Sequence, residues 1–406
     1  MGSMQAASIV RWVTEAGLAG AAEPDLLRGF CERLVAEGIP VTRANVIIDT
    51  LHPIYEGRAF RWRRDQTDLD PVVEYGRTDE GEAADNWRRS TYYYLFSTGE
   101  NTLRRRIGPD HVADFTVLEE LGSEGQTDYL ALCHHIGADR TIGEMDRIYS
   151  SWSTDAGEGF TDEHLALLHT IVPSLALAMK SASLARIAET LVETYLGRDA
   201  GRQVLSGRIM RGITDRIQAA LWFSDLRGFT HIADTADPEQ IIPFLNDYSD
   251  AIISSVHEAG GDVLKLIGDG VLAIFKADEP TEACRMALAA EDLMRSKIRL
   301  LNEDRTFRGL PVTEAYLGLH VGEVFYGNVG SLDRLDFTVV GPAVNEVSRI
   351  AALCRSVERD VLVSSTFCSV APDQDRAGLV SVGRYALRGV TRPQELFTRD
   401  PEFMTG

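Results

Sequence analysis

Two largely apolar runs, 263–267 and 271–275, are separated only by Gly268-Asp269-Gly270, so the chain must reverse within three residues, and a β-hairpin is the arrangement that allows it. The turn carries a carboxylate. A second one, Asp225, ends the apolar run in A-L-W-F-S-D-L-R-G-F-T (220–230), where Arg-Gly-Phe-Thr leads into a tight turn at which backbone can approach a ligand. Presented this way, Asp225 and Asp269 look like a platform for a divalent metal that accompanies an anionic substrate. Singly, each is weak, because a strand-end Asp is more often a helix cap and Asp-Gly turns are common.

The 406 residues, 44% hydrophobic and 25% charged, suffice for two or three domains with proper cores. A net charge of -20 repels a phosphate backbone, so no nucleic-acid partner is expected. The densest basic stretches, Arg61 to Arg64 around Trp62 and Arg104 to Arg106, are short and read as solvated element ends. Five scattered cysteines with no C-x-x-C pair fit a reducing cytosol. Cys133-His134-His135 resembles a metal or haem site, but neighbours on a strand point to opposite faces and cannot converge on one ion. No apolar stretch approaches the roughly 20 residues of a bilayer span, and no signal-peptide core is visible, so a cytoplasmic protein without a membrane span is expected. Met1-Gly2-Ser3 before Met4 resembles an expression-tag remnant (1–4) and is set aside.

Residues 5–180 read as one mixed domain. Leu26, Phe30 and Leu34 recur at helical spacing, and the segments 46–51 and 129–133 are β-rich. A helix should start near 160, with Thr161 as cap, Asp162 and Glu163 in the first turn, and Phe160 stapled to Leu165. Its apolar positions Leu165, Leu168, Val172, Leu175 and Met179, continued by Leu184, Ile187, Leu191 and Tyr195, predict a seam for a partner helix, bent slightly at Pro173. Gly197 and Gly201 interrupt the pattern, so 181–215 is expected to be a helical linker ending in a polar, Gly-punctuated connector. From 217 strands alternate with amphipathic helices, one of them opened by Asp237-Pro238. The order β-α-β-β-α-β predicts an α+β, ferredoxin-like domain over 216–400.

Five segments in sequence, F-S-D-L-R-G-F-T, K-L-I-G-D-G-V-L-A-I-F, G-L-H-V-G-E-V-F-Y-G-N-V-G, F-T-V-V-G-P-A-V-N-E-V-S-R-I and L-R-G-V, resemble class III nucleotide cyclases in order and spacing. The diguanylate-cyclase signature is a poorer match, since Val263-Leu264 follow Gly260-Gly261-Asp262 where Glu-Phe should stand. The resemblance implies that Asp225 and Asp269, helped by the Leu226 carbonyl, hold two Mg2+ (or Mn2+) ions. It also implies that Arg349 stabilises charge on the α-phosphate and that Asn345 orients the ribose. Arg388 stands where the family usually has a Lys that binds the terminal phosphates; it keeps the charge but alters reach and donor geometry. Lys265 and Thr338 occupy the base-selecting positions. Their combination implies adenine rather than guanine and resembles the bacterial, bicarbonate-responsive subclass. In the family the metal residues and the Asn/Arg pair come from different subunits, and this chain carries both sets, so a homodimer with ATP bound at the interface is expected. The implied activity is that of an adenylate cyclase, converting ATP to 3',5'-cyclic AMP and pyrophosphate. The alternatives are a guanylate cyclase, against which Lys265 and Thr338 argue, and a catalytically silent nucleotide-binding module, which would normally have lost a metal Asp or the Arg.

The first half, through G-F-T-D-E-H-L-A-L-L-H-T-I-V-P-S-L-A-L-A-M-K (159–180), is similar to GAF domains, with a PAS-like domain as the structural alternative. That implies an α/β sensor for a small molecule or another signal, regulating the catalytic half by shifting paired helices. Trp87, Tyr92, Tyr93, Tyr94 and Phe96 suit an ordinary aromatic core better than a pocket lining.

Overall fold

The computed structural model describes residues 2–65, 70–78, 81–109, 111, 113–136, 142–143, 145–388, 390 and 393–399. Met1 of the tag-like segment, Gly389 of L-R-G-V and the end of the expected catalytic segment at 400 lie outside them. The chain divides into two compact units, Met1–Leu191 and Val192–Gly406.

The first unit runs α1 (Gly2–Leu18), α2 (Glu23–Ala36), β1 (Arg43–Asp49), β2 (Gly57–Arg63), β3 (Val72–Tyr75), α3 (Gly81–Arg88), α4 (Thr91–Thr98), β4 (Thr102–Arg106), α5 (Thr116–Ser123), β5 (Asp128–His135), β6 (Arg147–Thr154) and α6 (Asp162–Leu196). Its six strands pair in the order β3-β2-β1-β6-β5-β4, antiparallel throughout. Alternation along β5 explains why the sheet is covered on both sides. Leu130 and Leu132 join Phe30, Trp152 and Leu168 under the long helices, whereas Tyr129, Ala131 and Cys133 join Leu95, Leu118 and Tyr149 on the opposite face.

The sequence places the start of α6 correctly. Thr161 Oγ1 accepts from the His164 amide at 3.2 Å, and His164 Nδ1 accepts in return from the Thr161 amide at 3.3 Å. The expected seam is a different matter: Leu168, Val172, Leu175, Met179 and Ile187 are buried in the unit's own core, so most of that stripe is used within the chain. The same residues correct the membrane expectation. Among the described residues α6 alone is long and apolar enough, by length and composition, to cross a bilayer, and part of its apolar stripe lies in the unit's core.

The second unit continues with α7 (Arg198–Leu205), β7 (Thr214–Leu226), α8 (Phe229–Thr235), α9 (Pro238–Glu258), β8 (Asp262–Ile267), β9 (Gly270–Phe275), α10 (Pro280–Phe307), β10 (Ala315–Gly330), β11 (Leu335–Val340), α11 (Pro342–Val357), β12 (Val361–Ser364), α12 (Ser365–Val370), α13 (Asp373–Arg376), β13 (Leu379–Tyr385) and β14 (Gln394–Arg399). The stretch expected as a polar connector therefore holds a helix, α7, and the start of β7. Strand order β13-β14-β12-β10-β7-β9-β8, with β11 on β10, contains the run β10-β7-β9-β8. In chain terms that is fourth-first-third-second, the spatial order of a ferredoxin-like β-α-β-β-α-β unit, extended here by β11 to β14.

Alternation along β7 separates two cores. Ala220, Trp222 and Leu226 pack with Phe244, Tyr248 and Met294 of α9 and α10, whereas Ala219 and Leu221 pack with Ala200 of α7 and Ala343 and Val347 of α11. Trp222 is fully buried, a side chain whose removal from water contributes about 2 to 3 kcal/mol. As expected, Asp237 caps α9, accepting from the Glu239 amide at 3.1 Å.

Candidate active site

Asp225 lies at the end of β7 and Asp269 at the tip of the β8–β9 hairpin, where Ile267 pairs with Gly270. Gly268 takes φ +64°, the left-handed conformation that lets two residues close the turn. The hairpin returns Asp269 to the end of β7, where the Leu226 amide donates to its Oδ2 at 3.2 Å. Burial, and then the facing Asp269 carboxylate, push Asp225 up to about 6. Two carboxylates held together with their repulsion only partly relieved are a donor set that fits a hard divalent cation, which would remove the repulsion and favour both ionised forms. Among the described residues no cluster of three or more His, Cys, Asp or Glu side chains forms a metal cage, so this site would rely on two carboxylates and backbone oxygen.

Asn345 and Arg349 sit one turn apart on α11, Asn345 exposed and Arg349 half-buried. No described carboxylate forms an ion pair with Arg349, leaving its guanidinium available to an anion. Besides the packing of Val347 and Ile350, helix α11 is fixed by a close backbone approach to the sheet. At Gly318 in β10 an added Cβ would lie 2.6 Å from the Val347 carbonyl oxygen and 2.7 Å from the Ala351 nitrogen, so the helix backbone rests directly on the strand.

Near its start α11 is also held by His320, which is buried in β10. Its Nδ1 lies 2.9 Å from Ser364 Oγ and 3.2 Å from Thr366 Oγ1, and its Nε2 lies 3.4 Å from Glu346 Oε2. Burial pushes His320 down to about 4 from its usual 6.5, so the folded state holds it neutral, although Glu346 would draw a proton toward it. Because the unfolded chain binds that proton first, this contribution to stability is complete above about pH 6.5 and is lost as pH falls through that value toward 4. The full span is worth about 3 kcal/mol. His320→Gln is expected to flatten the fall in urea midpoint between pH 6.5 and 4; an unchanged slope would show that His320 does not carry it.

Lys265 and Thr338 come to one side of the sheet. Lys265 in β8 pairs with Asp336, and Asp336 and Thr338, two residues apart on β11, share a strand face. The sequence reading missed Asp336, although its place two residues before Thr338 was the available signal. Arg388 is exposed in a turn after β13. The structure thus brings together Asp225 with Asp269 and Lys265 with Asp336, and places Asn345 with Arg349 on one helix. A further pairing was also unforeseen: Asp199 of α7 accepts from Tyr326 Oη at 2.6 Å and pairs with Lys276 Nζ at 2.5 Å, tying the helix to β9 and β10.

Residues 214–398 match the family model for the adenylate and guanylate cyclase catalytic domain. They form a class III cyclase catalytic domain. An adenylate cyclase of Anabaena cylindrica is 35% identical over 159 residues, 38% of this chain and 31% of that protein. Among solved structures, the guanylyl cyclase Cya2 aligns at 28% identity over 47% of this chain and 96% of its own, with TM-score 0.41. The adenylyl cyclase CyaB from P. aeruginosa aligns at 26% over 46% and 96%, also with TM-score 0.41. The chain spans about a third of the length of the curated Anabaena relative. The match begins with the first residue of β7, Thr214.

Proposed function

We propose that the protein is a homodimeric adenylate cyclase that converts ATP to 3',5'-cyclic AMP and pyrophosphate under control of its first unit. The observation that carries this reading is the Asp225–Asp269 pair in a cyclase domain that also retains Asn345 and an Arg349 with no ion pair among the described residues. Asp225, Asp269 and the Leu226 carbonyl would hold two Mg2+ (or Mn2+) ions. When bound, these supply a lowered pKa at the ribose 3'-hydroxyl and neutralise the triphosphate. Arg349 presents a planar fork to the α-phosphate, whose charge spreads over several oxygens as the 3'-oxygen attacks in line and pyrophosphate leaves. Asn345 orients the ribose, and Arg388 contributes charge toward the terminal phosphates.

Dimerisation is supported by half-exposed apolar side chains on the same unit: Leu266 and Ile267 beside the hairpin tip, and Phe325 opposite Val340 across β10 and β11. The six-stranded antiparallel sheet flanked by helices supports a GAF-like sensor in the first unit. Five cysteines, all unpaired and buried, suit the reducing cytoplasm.

Adenine selection rests on Lys265 and Thr338, which offer a donor and a hydroxyl to the base edge. The test is turnover of ATP and of GTP by wild type and by a variant carrying Lys265→Glu and Thr338→Cys. A carboxylate at 265 would face Asp336, so Asp336→Asn is added to remove that repulsion. Wild type is expected to prefer ATP, and the variant to move the kcat/KM ratio toward GTP by about tenfold or more. A wild type that prefers GTP would make the protein a guanylate cyclase; no product from either nucleotide would leave a silent binding module.

A further inference from the structure

The first unit contains a cavity of about 770 Å3, within the size range of small-molecule sites. Its floor is the sheet at the β1–β6 pairing, where Ile47 lies opposite Tyr149, and its roof is α3 and α4. Aromatic rings form much of the wall. Trp87 meets Tyr149 edge-on at 5.9 Å between centroids, Tyr92 lies 5.6 Å from Tyr149, and Phe96 lies 6.3 Å from Trp87. Three of the five aromatics assigned to an ordinary core therefore face a space, and rings set at steep angles leave a slot suited to a planar guest.

The charge of the lining narrows the guest further. Asp49, Glu56 and Asp146 contribute three carboxylates, against Arg147 as the one cation among the described lining residues. Arg147 is already engaged, with its guanidinium 4.6 Å above the Phe96 ring and 3.6 Å from Asp146. Asp49 is already engaged, accepting from Tyr75 Oη at 2.9 Å, whereas Glu56 accepts from the Thr78 amide at one oxygen and the Thr78 hydroxyl at the other, at 2.5 and 2.6 Å, each oxygen keeping a further lone pair for a donor. A phosphate or carboxylate entering here would lose water without gaining an uncommitted cation, whereas a protonated amine would meet both carboxylates and π-faces.

We infer that this cavity binds a planar aromatic molecule carrying a protonated amine, and that it discriminates against anionic ligands, cyclic nucleotides included. The inference rests on reading the first unit as a sensor, but it is measured as binding and not as turnover. Failure here leaves the cyclase assignment standing, and an inactive cyclase leaves this site standing.

Three probes share one ring and differ in charge: tryptamine, 3-methylindole and indole-3-acetate. Calorimetric titration of the full chain is expected to rank them in that order, with about a tenfold or larger gap in Kd between tryptamine and indole-3-acetate. Asp146→Asn is expected to weaken tryptamine several-fold and leave 3-methylindole unchanged, and Trp87→Ala to remove binding of both. If Trp87→Ala does not fold, the Asp146→Asn comparison decides alone. Absence of heat from all three probes at millimolar concentration would overturn the inference. So would indole-3-acetate or cyclic AMP binding as tightly as tryptamine, or an Asp146→Asn protein with unaltered selectivity.

Discussion

Asp269→Ala is expected to reduce cyclic nucleotide formation by about a thousandfold or more while leaving the folded protein within about 1 kcal/mol of wild type. The two halves of this expectation have separate causes. A thousandfold loss corresponds to about 4 kcal/mol of transition-state stabilisation, a reasonable share for a group that holds metal against a reacting phosphate. Folding responds to two smaller and opposed changes. Loss of the Asp269 carboxylate leaves the Leu226 amide without its acceptor, a cost of the order of 1 kcal/mol. It also removes the negative charge that, together with burial, pushes Asp225 up to about 6, so the remaining carboxylate is easier to hold ionised. The check is product formation by chromatography beside thermal melting of the same preparation. Turnover within tenfold of wild type would remove Asp269 from the metal platform, and a collapsed melting temperature would make it a folding residue instead.

Mixing Asp269→Ala with Arg349→Ala is expected to restore activity that neither variant has alone. If each site takes its carboxylate pair from one subunit and its Asn/Arg pair from the other, random re-pairing of equal amounts makes about half of the dimers mixed. Each mixed dimer then has one site with both lesions and one with neither, so about one quarter of the wild-type sites are intact. Recovery should depend on protein concentration and reach that ceiling only when subunits exchange. Zero recovery with demonstrated exchange would place both pairs in one subunit. Activity well above one quarter would mean that one of the single variants is not fully disabled, which its own assay would reveal.

These features were unequally legible in the sequence. Asp225 and Asp269 could be read because their geometry is local: a strand that ends in Asp before a Gly-bearing turn, and a carboxylate on a hairpin too short to place it elsewhere. The β-α-β-β-α-β order was legible for a similar reason, since period-2 runs alternate with capped amphipathic helices. By contrast, periodicity in α6 revealed an apolar stripe without revealing what covers it, and α1, α2 and the sheet compete for that stripe with any outside helix. Helix α7 was hidden because its buried positions are Ala200 and Gly201, too small to register as an apolar face, and its anchoring runs through the charged Asp199. The aromatics of α3 and α4 posed a third kind of ambiguity. Composition can place rings together, but only their tilt decides whether they fill the space between them.

The double allegiance of α6 and the residues after it decides where this protein can be divided for separate study. Ile187 still lies within the core of the first unit, so ending a fragment at 180 would strip that core of a fully buried side chain and expose the surface beneath. On the other side, an added Cβ at Gly197 would lie 2.4 Å from the Val263 carbonyl oxygen, and Ala200 is enclosed in the core of the second unit, so starting a fragment at 214 would uncover the sheet. The window that spares both is narrow, between Leu191, which packs on the first core, and Leu196, which packs on the second. A fragment begun at the edge of the family match would lack α7 and, with it, the anchor that Asp199 gives to Tyr326 and Lys276, so its behaviour would misrepresent the intact chain.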